Sequence, residues 1–253
     1  MIKEIKISDP ITYEGQPDGG RTAMIDPYDG CQLHCPYCFQ LDDINWNKDI
    51  FVNVNIAELL NNRLKSWPKN EIIYFGSRCD PYMPLEEKYD LTRKCLQALN
   101  DLQIDTMITT KSDNDLIFRD IDIIKHFKSE ITILMGVTNL NQIGKGTQNK
   151  NILTANKLFN EGIKVWVFIT PVLPYIMNVE EIVSALNPDI PIFIDKLRKK
   201  NTVQVNKIME FINKSYPEHT EKYNEILKEE NELYFNEIKS KYDNDKRIEI
   251  LYL

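Results

Sequence analysis

Three cysteines lie close together in one short polar loop, at Cys31, Cys35 and Cys38, with the spacing C-x3-C-x2-C. Thiolates are the soft ligands that iron–sulfur clusters prefer, and a short loop can wrap three corners of a cubic cluster. A fourth cysteine is not in position to close the cluster, because Cys79 and Cys95 lie far along the chain. The spacing therefore predicts a [4Fe–4S] cluster in which one iron has no protein ligand and is open to another molecule.

Two other interpretations of this loop stay open on the residues alone. His34 could join the three thiolates in a structural zinc site, although such sites more often use two separated pairs of ligands, and no second pair is present. The other interpretation is an iron–sulfur electron-transfer or sensor protein, although a ferredoxin site would need a fourth cysteine. The first residues hold no apolar run of signal-peptide length. We therefore expect a cytoplasmic protein whose five cysteines are thiols or metal ligands.

The composition is that of one globular domain with a sizeable core. The chain has 253 residues, of which 42% are hydrophobic and 27% are charged. Its net charge of −7 does not favour nucleic-acid binding over the whole surface. The cluster of basic residues from Lys196 to Lys200 could form a local groove, but such runs are usually a solvated face. No stretch approaches the length of a membrane span, so we expect no membrane association.

Short apolar runs alternate with longer amphipathic stretches from about residue 22 onwards. The predicted strands are Thr22–Ile25, Ile72–Phe75, Thr106–Thr109, Ile131–Val137, Val165–Thr170 and Ile190–Ile194. The predicted helices are Ile56–Trp67, Glu87–Leu102, Ile117–Phe127, Ile152–Glu161 and Val179–Leu186. Asn55 is a candidate N-cap for the first of these helices.

Six β-α units predict an α/β fold with a parallel sheet and right-handed crossovers. Six units are too few for a closed eight-fold barrel, so we expect a partial (β/α)6 TIM-like barrel over residues 1–200. Beyond it, charged helices at Val203–Ile212 and Glu221–Lys241 and an apolar run at Ile248–Leu253 predict a helical C-terminal extension, residues 201–253, packed on the barrel. Sites in such sheets lie at the carboxyl ends of the strands, and the polar candidates do follow the strands.

The cysteine loop resembles that of the radical S-adenosylmethionine (SAM) superfamily, because an aromatic residue, Tyr37, precedes the last cysteine and the loop follows the first barrel strand. The resemblance implies that the open iron chelates the amino and carboxylate groups of SAM. It implies further that one-electron reduction cleaves SAM to a 5′-deoxyadenosyl radical, which abstracts hydrogen from a substrate. An electron donor such as flavodoxin or ferredoxin is the partner this chemistry implies.

Three further segments resemble the branch of this superfamily that contains spore photoproduct lyase. Asp26–Cys31 is similar to its N-P-Y-x-G-C, and Gly76–Glu86 to its G-T-x-T-D-P-Y-Q-P-I-E. Ile108–Ser112 followed by Leu116–Asp120 is similar to its I-T-K-S…L-I-x-R-D. Pro171–Pro174 is a weaker match to P-x-I-P-G-x-N-D, since it lacks the glycine and the aspartate.

Four residues are candidate SAM contacts besides Tyr37. Gly76 follows an apolar strand, where a missing side chain lets the backbone approach a ligand closely. The resemblance implies that this turn, with Ser77, holds the SAM amino group, that Lys111 faces the SAM carboxylate, and that Thr138 contacts the ribose or the carboxylate. The alternatives are a plain turn at Asp80-Pro81 and an exposed surface lysine.

Cys79 departs from the branch, in which most members have threonine at this position. A thiol near the radical could return a hydrogen atom to a substrate radical, so Cys79 is the candidate catalytic residue. The alternative is a small buried side chain, as is common for free cysteine. The sequence thus predicts a radical SAM enzyme, with lyase chemistry among the possibilities. Its substrate could be a peptide, a small molecule or a nucleic acid. The competing prediction is an iron–sulfur electron-transfer or sensor protein without SAM cleavage.

Overall fold

Short strands and amphipathic helices alternate along most of the chain. The computed structural model describes residues 1–15, 19–41, 48–68 and 71–252. The strands are β1 (Ile2–Ile5), β2 (Thr12–Gly15), β3 (Arg21–Ile25), β4 (Tyr28–Asp29), β5 (Ile50–Asn53), β6 (Ile73–Phe75), β7 (Thr106–Thr110), β8 (Ile131–Gly136), β9 (Val165–Val172), β10 (Ile192–Lys196) and β11 (Ile248–Ile250). The helices are α1 (Ile56–Arg63), α2 (Glu86–Tyr89), α3 (Leu91–Asp101), α4 (Leu116–Arg119), α5 (Ile121–Lys125), α6 (Lys150–Asn160), α7 (Val179–Ala185), α8 (Thr202–Ser215), α9 (Thr220–Lys228) and α10 (Leu233–Tyr242). All six predicted barrel strands are present, with ends that differ by one or two residues.

The chain divides into two compact units, each with its own part of the parallel strands. The first unit consists of Met1–Leu33, Asn47–Met135 and Lys157–Val165. The second consists of His34–Trp46, Gly136–Asn156 and Trp166–Leu253. The predicted boundary between residues 200 and 201 is a different kind of division, and it stays a prediction.

In the first unit, β3, β6, β7 and β8 lie side by side in parallel, and β2 pairs antiparallel with β3 at one edge. Ile73 of β6 lies opposite both Ala23 of β3 and Thr106 of β7. The β8 strand is buried along its whole length, as its apolar run predicts for a strand covered on both faces. The carboxyl ends of β3, β6 and β7 lead into the segments that contain Cys31, Cys79 and Lys111.

A second, three-stranded sheet in the first unit was not predicted. Its order is β1-β5-β4, with β1 parallel and β4 antiparallel to β5. Asn53 at the end of β5 donates from its main-chain N to Pro27 O, and from Nδ2 to Asp26 O, both at 3.0 Å. This small sheet therefore holds the segment that leads into Cys31.

Asn55 stands at the N-cap position of α1, as predicted, but its side chain makes no cap hydrogen bond with the helix. Instead, Asn55 Oδ1 accepts from Ile7 N and its Nδ2 donates to Ile7 O, both at 3.0 Å. The amide is used to tie the N-terminal segment to the start of α1. The helix itself buries Ile56 and Leu60.

In the second unit, β10 lies between β9 and β11 and is parallel to both. The final apolar run is therefore a sheet strand, and α8, α9 and α10 precede it. The single helix predicted over Glu221–Lys241 is two helices, because the chain turns at Glu230, whose φ is 59°. Tyr223 Oη donates to Pro174 O at 3.1 Å and Tyr234 Oη to Met177 O at 3.4 Å, so α9 and α10 contact the segment after β9.

The fold is mixed α/β with parallel strands in each unit. The partial barrel that the sequence predicts stays a prediction. In the part of the chain that the structure describes, no helix is long and apolar enough to cross a bilayer.

Candidate cofactor and active site

The first half of the cysteine loop leaves β4 through a glycine. Gly30 has a φ of +94°, in the region that favours glycine, and a Cβ there would lie 2.8 Å from Asp49 O and 3.3 Å from Ile50 Cγ1. No other residue type fits this turn without movement of the neighbouring backbone. Cys31 follows directly and is half-buried.

The residues on either side of Cys31 are bound to one short segment, Met83–Glu86. Tyr28 Oη donates to Glu86 Oε2. Gln32 Oε1 accepts from Leu85 N at 2.7 Å, and Gln32 N lies 3.4 Å from Met83 Sδ as a donor. The segment from Tyr28 to Gln32 is thus held from both sides of Cys31.

Glu86 is the centre of a buried charge network. Its side chain has no exposed surface, and Arg119 Nη2 lies 2.7 Å from its Oε1. Its Oε2 also accepts from Leu91 N at 3.1 Å and Thr92 N at 3.0 Å, which satisfies the start of α3. Arg119 Nε pairs in turn with the buried Asp120 at 2.9 Å. Because Tyr28 Oη also donates to Glu86 Oε2, residues of three of the sequence motifs form one internal network.

The second half of the loop is a turn closed by the main chain. Cys38 N donates to Cys35 O at 3.1 Å, and both cysteines are half-buried. Tyr37 between them is buried, and its Oη donates to the main-chain carbonyl of Thr138. Thr138 Oγ1 donates to Pro171 O at 3.0 Å. The structure thus brings Tyr37 and Thr138 together, with the hydroxyl of Thr138 engaged by the protein itself.

Gly76 is required by the packing of the protein around it. Its φ is +78°, and a Cβ there would lie 2.4 Å from Pro81 Cδ and 2.9 Å from Thr109 O. Its N donates to Ile25 O at 3.1 Å, at the end of the neighbouring strand. Ser77 follows and is half-buried. The close approach that only glycine permits is made here by Pro81 and Thr109.

Cys79 is buried next to Asp26. Asp26 Oδ1 accepts from Arg78 N at 3.0 Å and from Cys79 N at 3.3 Å, and Cys79 Sγ lies 3.6 Å from the same oxygen. Asp26 Oδ2 is buried and has no hydrogen-bond partner among the described residues. Burial raises the pKa of Asp26 to about 6. Burial and the nearby Asp26 carboxylate raise the pKa of the Cys79 thiol well above its ordinary value, so Cys79 carries its proton at neutral pH.

Asp80 joins the second and third motifs. It is buried, and its carboxylate accepts from Tyr82 N at 2.9 Å, Thr110 Oγ1 at 2.9 Å, Lys111 N at 2.6 Å and Ser112 Oγ at 2.8 Å. The bond from Tyr82 N closes the turn expected at Asp80-Pro81. Lys111 is half-buried, and its main chain is fixed at the end of β7 by this carboxylate.

The three cysteines are a donor set of the kind that an iron–sulfur cluster uses. A cubic cluster presents a separate iron to each cysteine, so its ligands need not share one coordination sphere. Three thiolates in one loop fit that requirement, and they are the ligand type that such clusters use.

Two parts of this site were not predicted. The sequence motif gives Asp26 no role of its own, and its only signal is that it replaces the asparagine of the N-P-Y-x-G-C pattern. The motifs give Glu86 and Arg119 no role either. Their charge and spacing give no indication that they pair inside the protein.

The chain matches the family model described as the radical SAM superfamily over residues 25–188, well over half of its length. An uncharacterised protein of Methanocaldococcus jannaschii is 31% identical over an alignment of 202 residues, which covers 74% of this chain and 73% of that protein. The chain therefore belongs to the radical SAM superfamily and is an enzyme. The cofactors of that family are a [4Fe–4S] cluster and SAM.

The fold is similar to that of spore photoproduct lyase. A cysteine-to-serine variant of that lyase superposes with a TM-score of 0.60 at 15% identity, covering 85% of this chain and 66% of the lyase. The lyase complexed with dinucleoside spore photoproduct gives a TM-score of 0.57 at 13% identity, with the same coverage. The chain thus spans just under two thirds of the lyase's length. This likeness of fold agrees with the resemblance of the motifs.

Proposed function

We propose that Cys31, Cys35 and Cys38 hold the [4Fe–4S] cluster of a radical SAM enzyme. When bound, the cluster and SAM supply the 5′-deoxyadenosyl radical that abstracts hydrogen from the substrate. The observation that carries the proposal is the three-cysteine loop inside the matched range 25–188. The finer fold that we propose with it is the partial (β/α)6 barrel over residues 1–200, with residues 201–253 as an extension.

We further propose that the turn at Gly76 and Ser77 binds the amino group of SAM, and that Lys111 binds its carboxylate. The main chain of Lys111 is anchored to Asp80 at 2.6 Å, which gives the long side chain a fixed origin. Thr138 and Tyr37 are the remaining residues that we propose for the SAM site. Tyr37 fixes the turn between Cys35 and Cys38 through its bond to the Thr138 carbonyl, beside which the ribose is expected.

Cys79 is proposed as the hydrogen-atom donor to the substrate radical. Donation of a hydrogen atom requires an S–H bond, and burial beside Asp26 keeps this thiol protonated. The transfer forms a C–H bond on the substrate and leaves the sulfur one hydrogen atom short. One electron from a donor of the flavodoxin or ferredoxin type, together with a proton, restores the thiol. We propose such a donor as the partner of this chain and the reducing cytosol as its location.

The substrate class stays broad: a peptide, a small molecule or a nucleic acid. The dinucleoside photoproduct is a ligand of the lyase, and the net charge of −7 on this chain argues against transferring that activity directly.

Anaerobic reconstitution followed by addition of SAM and dithionite tests the core of the proposal. We expect about four irons and four sulfides per chain, as a cubic cluster requires, and release of 5′-deoxyadenosine. Cys35→Ala should abolish both. Cys95→Ala is the matched control, since Cys95 is buried on α3 and should leave both intact. A colourless, zinc-loaded protein would contradict the proposal. An iron-loaded protein that never cleaves SAM would favour the electron-transfer or sensor alternative.

A further inference from the structure

The residues at the start of α8 are hydrogen-bonded to the second half of the cysteine loop. Three of their side chains donate to three alternate main-chain carbonyls: Gln204 Nε2 to Tyr37 O at 2.9 Å, Lys200 Nζ to Phe39 O at 2.6 Å, and Asn201 Nδ2 to Leu41 O at 2.8 Å. All six residues lie in the second unit. The three donors lie beyond residue 188, where the family match ends. The contact therefore joins this chain's C-terminal region to the cysteine loop, which lies inside the matched range.

Two of the three donors are held from their other end. Gln204 is buried, with 3% of its surface exposed, and its Oε1 accepts from Lys200 N at 2.8 Å. Asn201 is the N-cap of α8, since its Oδ1 accepts from Gln204 N at 2.8 Å. In each amide the oxygen thus accepts from the helix start, and the nitrogen donates to the loop. Rotation of either amide would break both bonds, so the start of α8 and the loop are fixed relative to each other.

The hydrogen bond to the Tyr37 carbonyl affects the neighbouring residue Cys38. That carbonyl belongs to the peptide bond between Tyr37 and Cys38, so the hydrogen bond from Gln204 orients the peptide plane that leads into Cys38. Cys38 N is bound on its other side to Cys35 O at 3.1 Å. The direction in which the thiol of Cys38 leaves the loop is therefore set partly from α8.

We propose that Gln204, supported by Asn201 and Lys200, is a positioning residue for the cluster ligand Cys38, so that the C-terminal region is a working part of the cofactor site. The role rests on the proposed function, because it assumes that Cys38 binds iron. Gln204 is hydrogen-bonded to the loop and to the helix start. It acts through the main chain of Tyr37.

Gln204→Glu separates the two bonds of this residue. A carboxylate still accepts from Lys200 N, and its negative charge is favourable at the start of a helix. While it is ionised, it has no hydrogen to donate to Tyr37 O, so the variants are compared at alkaline pH. The matched control is Asn156→Ala, because Asn156 also bridges two main-chain groups, accepting from Asn187 N and donating to Ala185 O, both at 2.8 Å, without touching the cysteine loop.

The first measurement is the rate at which reconstituted protein loses iron to a chelator, followed by the cluster absorbance. We expect Gln204→Glu to lose iron about tenfold faster than the native chain, as for the loss of one buried hydrogen bond. Asn156→Ala should stay within about twofold, even though its melting temperature falls. Equal rates in the two variants would overturn the proposal and make Gln204 a residue of general stability.

The second measurement needs no cluster, so it separates this proposal from the proposed function. Hydrogen exchange in the metal-free protein reports on the amides of Cys38 and Leu41, which are bound within the loop. Gln204→Glu should raise their exchange rates about tenfold and leave those of α7 unchanged. Unchanged exchange in the loop would refute the proposal that Gln204 fixes the main chain of the loop. A native chain that takes up no cluster, yet shows this exchange result, would refute only the proposed function.

Discussion

Cys79 Sγ lies 3.6 Å from Asp26 Oδ1, and both residues depart from the motifs of the lyase branch. Asparagine is replaced by Asp26 and threonine by Cys79. The replacements meet in space at the ends of β3 and β6, although 53 positions separate them in the sequence. Burial, and then the nearby Asp26 carboxylate, raise the pKa of the Cys79 thiol and keep it protonated.

Asp26→Asn should stabilise the protein at about pH 8, and less so at about pH 5. Burial raises the pKa of Asp26 from its ordinary 3.8 to about 6, so the folded state binds more protons than the unfolded state between these values. The stability that the protonated carboxyl contributes is complete below about 3.8 and is lost as the pH rises through about 6. Above that pH the buried charge is a constant cost of about 1–3 kcal/mol, which the amide removes.

Urea unfolding of the metal-free native and variant chains at the two pH values measures this difference. Asp122→Asn is the control. Its pairing with Arg93 lowers the pKa of Asp122 to about 2, so its effect should not change between pH 5 and pH 8. An Asp26→Asn effect that is equal at both pH values would contradict the assignment of a raised pKa to Asp26.

Cys79→Ala should leave the cluster in place and change the product. The thiol is proposed as a donor of hydrogen, so iron content and 5′-deoxyadenosine release should stay within about twofold of native, whereas the substrate radical is quenched differently. Until a substrate is known, iron content and 5′-deoxyadenosine release are the measurements. Loss of the cluster in Cys79→Ala, with the cluster kept in Cys95→Ala, would mean that Cys79 is a ligand and that the proposed ligand set is incorrect.

Gly76→Ala should lower the free energy of unfolding by about 2–4 kcal/mol, because it combines backbone strain at positive φ with overpacking. Its Cβ would lie 2.4 Å from Pro81 Cδ. Gly162→Ala isolates the strain, since Gly162 has nearly the same φ, +80°, with no atom within 4 Å of a Cβ, and should cost about 1 kcal/mol. Urea unfolding of both variants provides the comparison. Similar losses for the two would show that the contact with Pro81 relaxes easily.

The strands of the parallel sheet could be predicted because each is an apolar run between polar segments. The β8 strand is the clearest case, with six buried residues in a row. The β1-β5-β4 sheet could not, because β1 is almost wholly exposed and β4 has only two residues. The break at Glu230 has no sequence signal either, since glutamate is a good helix former. Tertiary packing decides such features.

The candidate site divides in the same way. The cysteine loop and the turn at Gly76 could be predicted, because residue type and spacing carry their chemistry. Two contacts could not be predicted: that of Asp26 with Cys79, and the hydrogen bond of Gln204 to the loop. Each joins segments far apart in the sequence through side chains that could equally have faced solvent.

Glu86→Gln tests whether the buried network supports the cysteine loop. The amide keeps an acceptor for Tyr28 and for the start of α3, but it leaves Arg119 without its buried carboxylate, whose oxygen lies 2.7 Å away. Removal of one partner of a buried ion pair is strongly destabilising, although Arg119 also pairs with Asp120 and Asp90. We therefore expect a loss of about 2–3 kcal/mol, against about 1 kcal/mol for Tyr28→Phe, which removes a single hydrogen bond.

Urea unfolding of the metal-free chains gives these two values. Asp101→Asn is the control, because its ion pair with Lys128 is exposed at the surface and contributes little. The position of Tyr28, three residues before Cys31, adds a second expectation. Tyr28→Phe should raise hydrogen exchange at Gln32, whose N and Oε1 contact Met83 and Leu85, more than Asp101→Asn does. If Tyr28→Phe lowers stability without this local effect, Glu86 stabilises the fold as a whole and does not act on the loop.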